Sequence, residues 1–529
     1  MTKGNKSRPE DVEAAQDAFG GAEDHDTPTG VSPGTAFDEI TDLRRELFSA
    51  TARQSRRQVL LANEFAAEHG HKLRFAPGLG WLVYGRGRWQ IDEGNAFVRQ
   101  ALMDTLRRLL REAVARGDKE MERLATASQT NSALNAVLEI TASLDGIAST
   151  VDRFDARPEL LNMPNGTLNL DTGELLRHDP SHLLTKMTRG SYDPAAPVRS
   201  DLWDGFLAEV LPDPEVRRYW QQVHGLALYG SVLEHVLVVA TGPGRNGKGV
   251  AYGAASHACG DYAATADDGM FEVRRGGSAQ GASPATAKLR GVRYLVASEL
   301  EERARIDAAF MKRMTGGDRI SARFLYGQPF SFDPAFLALL VTNFLPKLPA
   351  NDPAVWARVR VVPFDVVIPE ARQDPQLPNK LKGCADAVLS WAVEGWLDYR
   401  ENGLVTPGAV RVATDEYAES QDDVRRFVED QCTTVPRAQG LTVKALHDNY
   451  VAWAAEENIY SGHVLGRTKF SESLQRLGHG PTRTSGGMTC DLTIGYTPNL
   501  PAAAVGPIAS VDPRVFDVPE PEPVYFPTN

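Results

Sequence analysis

Eight consecutive residues, Gly242-Pro243-Gly244-Arg245-Asn246-Gly247-Lys248-Gly249, follow an apolar run at 236–240 and lead into a helix-compatible stretch. The spacing G-x-x-x-x-G-K between a strand and a helix suits a phosphate cradle. Glycines let backbone N–H groups close on phosphate oxygens, the helix start adds partial positive charge, and Lys248 reaches the outer phosphates as a point charge. By itself the loop says only that a nucleoside triphosphate is handled, and an ordinary Gly-rich turn is the alternative. Gly249 stands where such loops usually carry a Ser or Thr, so the hydroxyl that ligates magnesium is missing.

Further along, RYLVASELEE at 293–302 sets acidic groups directly after an apolar strand, the arrangement that places magnesium and an attacking water beside a γ-phosphate. Glu299 is the first choice for both tasks. Glu301 is second and shares its face if the strand continues; an acidic first helical turn explains Glu301 and Glu302 equally well, and Glu299 less well. The third apolar strand ends in Asn343, a neutral group suited to sensing the γ-phosphate or orienting water, although Asn is also a common turn former. Arg358 and Arg360, in AVWARVRVVPF, are each able to act on a neighbouring subunit's nucleotide as an arginine finger, worth roughly 10³ to 10⁵ in rate.

These residues need a sheet to carry them. Strand candidates at 236–240, 293–297, 319–332 and 336–342, with helical material between them, alternate as in a mainly parallel α/β sheet, and the core is expected over 199–369. Ahead of it, 41–158 reads as helical, with apolar residues three and four apart in FVRQALMDTLRRLLREAVARG, interrupted by a short hairpin at 72–92. Residues 159–198 read as a small β meander on the turn signals Asn165-Gly166 and Asp171-Thr172-Gly173. A helical connector at 370–414 precedes helices and a strand pair around Gly486-Gly487 at 415–497. Residues 1–40, with three basic and nine acidic residues, are expected to form a disordered acidic arm, and 498–529, with eight prolines, an extended mobile tail.

The 529 residues hold 57 Lys and Arg against 69 Asp and Glu, a net charge of −12, which excludes a chain coated onto nucleic acid by bulk charge. A polyanion must meet a local patch. Between 271 and 325 there are 11 basic and 6 acidic residues, so 11 − 6 leaves +5. In that stretch FMKRMTGGDRISARFLYGQPFSF reads as a helix carrying Lys312 and then strand, turn, strand. Lys312, Arg319 and Arg323 are placed to neutralise phosphates, and Tyr326 to stack on a base, worth roughly 1–3 kcal/mol. The alternatives are that Arg323 and Tyr326 only pack the hairpin and that Lys312 touches nucleotide.

Cys259, Cys384, Cys432 and Cys490 form no C-x-x-C pair, and the eleven histidines, His224, His235 and His257 among them, suggest no metal site. No apolar run reaches about 18 residues and the first residues lack the apolar stretch of a secretion signal, so a soluble cytoplasmic protein without membrane contact is expected.

Taken in order, GPGRNGKG, RYLVASELEE, the 310–332 stretch, LLVTNFLP and VWARVRVVPF resemble the superfamily 3 helicases of phage and plasmid primase-helicase type, related to the poxvirus primase-helicase, over about residues 160–490. The resemblance implies a multidomain α/β chain: an AAA+ type P-loop ATPase core behind a helical and β-meander N-terminal region, with a C-terminal winged helix. It further implies a ring, a hexamer on the family's pattern, with ATP and Mg²⁺ between subunits and a DNA strand in the central channel. The family is similar in tolerating Gly at position 249. Ala357 departs from the Arg often seen after the Trp and moves the finger assignment to Arg358. The winged-helix end would offer Arg467, Lys469 and Arg476 to duplex DNA, with Arg483 on the wing; packing against neighbours is the alternative use.

The favoured expectation is an ATP-driven DNA helicase for phage or plasmid replication, translocating on single-stranded DNA and acting on forks. Primer synthesis is the enzymatic alternative, although 42–150 shows no convincing acidic strand pair. A non-enzymatic origin-binding or loader ATPase is a second, and a packaging motor ranks last. The Pro-rich tail is a candidate dock for a replication partner.

Overall fold

The computed structural model describes residues 50–273, 283–298, 304–324, 329–350, 352–457, 459, 464–484 and 487–495. The acidic arm and the Pro-rich tail lie outside them.

Helix α1 (Ala50–His69) leads into a three-stranded antiparallel sheet, β1 (Leu73–Ala76), β2 (Gly80–Gly85) and β3 (Arg88–Ile91). The expected single hairpin is therefore corrected to three strands. The reason is a second tight turn: Arg86 and Gly87 both take left-handed φ, 51° and 79°, so Gly85 pairs with Arg88 across two residues. Helices α2 (Ala96–Arg116), α3 (Lys119–Ala127) and α4 (Asn131–Ala142) follow. Their apolar stripes close on α1 and the sheet around Phe65, Trp81, Leu102, Leu106 and Val137.

Strands β4 (Leu160–Met163), β5 (Gly166–Asn169) and β6 (Leu175–Leu176) form an antiparallel meander in chain order. The buried Arg293 guanidinium fastens it to the next unit, donating to the carbonyls of Leu160 and Leu228 and lying 4.6 Å over the Tyr262 ring. Helices α5 (Asp201–Val210) and α6 (Pro214–Leu226) are each capped by the preceding residue, Ser200 and Asp213.

The central sheet is parallel and five-stranded. Its members are β7 (Leu237–Thr241), β8 (Ala263–Thr265), β9 (Tyr294–Ser298), β12 (Leu337–Val341) and β13 (Val359–Pro363), in the order β13-β7-β12-β9-β8. Alternation along each strand feeds two cores. Val238, Ala240, Val296, Leu339 and Val362 face α5, α6, α7 (Lys248–Cys259) and the buried Leu389, Trp391 and Trp396, while Leu237, Val239, Leu295, Leu340 and Val361 face the opposite layer. That opposite layer holds α8 (Ala308–Gly316) and the antiparallel pair β10 (Ile320–Ala322) and β11 (Phe330–Phe332). The fold is thus mixed α/β with a parallel central sheet.

Beyond the sheet come α9 (Leu377–Lys382), α10 (Ala385–Asn402) and α11 (Gly408–Ser420). The boundary expected at 415 falls inside α11. That helix packs on β13, where the Val361 amide donates to Thr414 Oγ1 and Tyr417 donates to the Pro346 carbonyl. The last core starts at Val424 instead. It gathers α12 (Asp423–Gln431), β14 (Cys432–Thr434), α13 (Val443–Glu456), α14 (Arg467–Arg476), the hairpin β15 (Thr482–Thr484) and β16 (Gly487–Thr489), and β17 (Leu492–Ile494), which pairs with β14, around Phe427, Tyr450, Trp453, Phe470 and Leu474. No helix among the described residues is long and apolar enough to cross a membrane.

Candidate functional site

The loop Gly242–Gly249 joins β7 to α7 at the carboxyl edge of the parallel sheet, where the strand order sends connections to both sides and leaves a crevice. Two glycines are forced by close approach. Gly242, at φ 144°, would put a Cβ 2.2 Å from the Phe364 carbonyl oxygen, and Gly247, at φ 81°, would put one 2.5 Å from Val210 Cγ1. Asn246, buried, anchors the loop by donating to the Phe364 carbonyl at 2.7 Å and accepting the Lys248 amide at 3.3 Å. Gly247, which precedes α7, offers no side-chain cap, so of the first-turn amides the loop's side chains take that of Lys248, through Asn246.

The Lys248 ammonium donates to the carbonyls of Gly242 and Pro243 at 2.7 and 3.3 Å and to Asn343 Oδ1 at 3.1 Å. Lys248 is 5% exposed, and burial lowers its pKa below that of an ordinary lysine. All three partners are neutral. Asn343 is delivered by the end of β12, where Thr342 accepts the Phe344 amide and donates to the Phe344 carbonyl. Above these groups opens a cleft of ≈ 560 Å³, lined by Gly244 to Gly249, Tyr252, Ser298, Asn343, Phe344 and Lys382. The structure thus joins Lys248 and Asn343 across 95 residues of sequence.

Glu299 and Glu301 lie outside the described residues; Ser298, which directly precedes Glu299, is in the cleft wall. Arg358 and Arg360 lie elsewhere. Val359 pairs with Leu237 at the entry of β7, whereas the loop leaves its far end, so at about 3.3 Å per residue Arg358 sits roughly 16 Å from the cradle of its own chain. Its guanidinium donates to the Ala354 carbonyl at 2.8 Å, and Arg360 to the carbonyls of Ala357 and Val359.

The nucleic acid candidates scatter over two surfaces. Lys312 is bound to Asp352 at 2.8 Å, and that hydrogen bond holds the Asp352 carboxyl below its usual range. Arg319 meets Asp152 at 2.9 Å, while Arg323 is exposed without a partner among the described residues. Tyr326 lies outside the described residues. On α14, Arg467 and Lys469 are exposed and Arg476 is taken up by Asp422 at 2.6 Å. Arg483 is exposed on β15.

Three contributors escaped the sequence reading. Lys382 on α9 lines the cleft, the Asn246–Phe364 bond fixes the loop, and Phe324, stacked on Phe330 at 5.4 Å, roots the β10–β11 pair against Leu79, Trp89 and Phe154 of the N-terminal unit. Only a lone Lys in a helix and a phenylalanine beside the hairpin marked two of them in advance.

Residues 62–212 match the family described as D5 N terminal like. The "Putative helicase L207/L206" of Acanthamoeba polyphaga mimivirus is 27% identical over 366 residues, covering 65% of this chain and 37% of that protein. The "Putative helicase 022R" of Frog virus 3 is 31% identical over 249 residues, covering 44% and 26%. The "Putative primase C962R" of African swine fever virus (isolate Tick/Malawi/Lil 20-1/1983) is 23% identical over 327 residues, covering 58% and 34%. The chain therefore spans at most 37% of the length of these relatives. Among solved structures, the apo C terminal region of NrS-1 aligns with 83% of this chain and 99% of its own at a TM-score of 0.43 and 10% identity.

Proposed function

From the premise that this chain belongs to the primase-helicase family, we propose that it is an ATP-hydrolysing DNA helicase, a P-loop motor of AAA+ type that works as a ring on single-stranded DNA in viral or plasmid replication. The observation that carries this reading is Lys248. Its ammonium is buried and, among the described residues, balanced by two carbonyls and an amide oxygen, and a buried cation without a charged partner is costly until an anion arrives. A triphosphate in the adjoining cleft is that anion. Loop amides and Lys248 hold its phosphates, and Asn343, already touching Lys248, reports whether the outer phosphate is present.

Magnesium, when bound with ATP, would neutralise charge on the transferring phosphoryl group. Gly249 offers no hydroxyl for it, so Ser298 in the cleft wall and the adjoining Glu299 are the groups that suit it. The remote position of Arg358 supports action on a neighbour's nucleotide and excludes action on its own. Arg323 and, on the helix-rich C-terminal unit read as a winged helix, Arg467 and Lys469 remain uncommitted cations for DNA.

Replacing Lys248→Ala is expected to lower ATP turnover by roughly 10² to 10³ with the far-ultraviolet circular dichroism unchanged. A folded variant with full turnover would remove the cradle assignment. Turnover that ignores added single-stranded DNA, with no strand separation on a forked substrate, would favour the loader reading instead. Primer synthesis draws on the name of the African swine fever virus relative, of which this chain covers 34%; ribonucleotides and a single-stranded template, scored for labelled oligomers, test it.

A further inference from the structure

The last core and the sheet-bearing unit meet at a cleft of ≈ 770 Å³, larger than the one above Lys248. On its sheet-side wall Arg305 and Lys347 face each other in a parallel β-bridge, backed by hydrogen bonds from the Ile306 amide to the Lys347 carbonyl and from the Lys347 amide to the Ala304 carbonyl. Directly paired like charges repel. Neither side chain has a carboxylate partner among the described residues. Across the gap stands Lys469 of α14, likewise without one.

The carboxylates of the cleft do not answer this charge. Asp352 is held by Lys312 and Asp422 by Arg476, while Asp423 lies 3.5 Å from Arg426, which also meets Glu457 at 3.0 Å. Among the described residues, Arg305, Lys347 and Lys469 then face Glu472, the one lining carboxylate without an ion pair. Leu348, Pro349, Val464 and Leu465 add apolar surface to the cleft lining. Cations spread along a groove that also carries apolar surface suit a single nucleic acid strand, whose backbone follows the positive charge. The Lys312–Asp352 bond also ties the cleft to α8, the helix that leads into the β10–β11 pair and Arg323.

We propose that this cleft binds single-stranded nucleic acid between Arg305 and Lys347 on one wall and Lys469 on the other, so that the C-terminal unit clamps the strand against the sheet-bearing unit. The proposal rests on the motor reading and adds a second grip to it. It also changes the use of α14: Lys469 works toward an inner cleft and not as part of an outward helix on duplex DNA.

The test measures binding of a fluorescein-labelled oligothymidylate by anisotropy over a salt series, using the full chain. Arg305→Gln with Lys347→Gln is expected to weaken binding roughly tenfold at low salt and to lower the salt slope by about 1.4, two phosphate contacts at about 0.7 each. Turnover of ATP without DNA should be unchanged, and Lys347→Arg should bind as the parent does. Arg323→Ala separates the two claims. If it weakens binding while the double variant matches the parent, the cleft proposal falls and the motor reading stands; if the parent chain itself binds no strand, the motor reading falls with it. A synthetic peptide of residues 510–529 that binds the parent but not the double variant, beside unchanged oligonucleotide binding, would make the cleft an acidic-peptide dock and overturn the proposal.

Discussion

Asn246 does more for the cradle than its place between two glycines suggests. Its amide donates to the Phe364 carbonyl and its oxygen accepts the Lys248 amide, so one buried side chain sets both the loop's depth and the start of α7. Asn246→Ala leaves the Phe364 carbonyl without that donor, a loss of about 1–3 kcal/mol. If about 1.4 kcal/mol of it reaches the loop, affinity for a slowly hydrolysed ATP analogue falls about tenfold by calorimetry. Undiminished affinity in the folded variant would show that the loop holds its shape without the clamp.

Helix α6 and strand β9 are joined through His224. The ring sits between Trp220 and Tyr294, bonded to the Trp220 carbonyl at 2.8 Å through Nδ1 and to the Tyr294 hydroxyl at 3.0 Å through Nε2. With Nδ1 donating and Nε2 accepting, the neutral ring satisfies both partners, and burial pushes its pKa from 6.5 down to about 4. The folded chain therefore takes up the proton less readily than the unfolded one. Stability that is complete above pH 6.5 is lost as pH falls toward 4, by about 3 kcal/mol in all. Thermal unfolding between pH 4 and 7 should show this slope, and His224→Gln, which can keep one donor and one acceptor, should flatten it. An equally steep loss in the variant would place the acid sensitivity in other groups.

The whole molecule divides the proposed ATP site between copies of the chain. Lys248 and Asn343 stand at one edge of the central sheet and Arg358 at the other, so on the proposed reading a complete site would take two chains side by side. Arg358→Ala and Lys248→Ala should each lower turnover by at least roughly 10² alone. Mixed in equal amounts they should regain activity, because about a quarter of the interfaces then pair an intact cradle with an intact finger. Two dead variants that stay dead on mixing, although they co-assemble, would point to a site completed within one chain. The N-terminal unit takes part as well, since Asp152 holds Arg319 and Leu79 and Trp89 pack beside Phe324, bracing the root of the hairpin that the motor reading directs at the strand.

The amino-acid order alone pointed to the Gly-rich loop at 242–249, to apolar strands at 236–240, 293–297 and 336–342 and to a strand–turn–strand over 319–332, because glycine spacing, alternation and turn chemistry act within a few residues. The second turn at Arg86-Gly87 escaped it, an Arg in left-handed conformation being a weak local signal. Only the tertiary structure decided that Lys248 meets Asn343, that Asn246 meets Phe364, that Arg358 lies at the opposite edge from the cradle, and that Arg305, Lys347 and Lys469 share a cleft. Those pairings follow from the order and register of five strands and from how separate cores abut, and no local periodicity encodes which strand becomes whose neighbour.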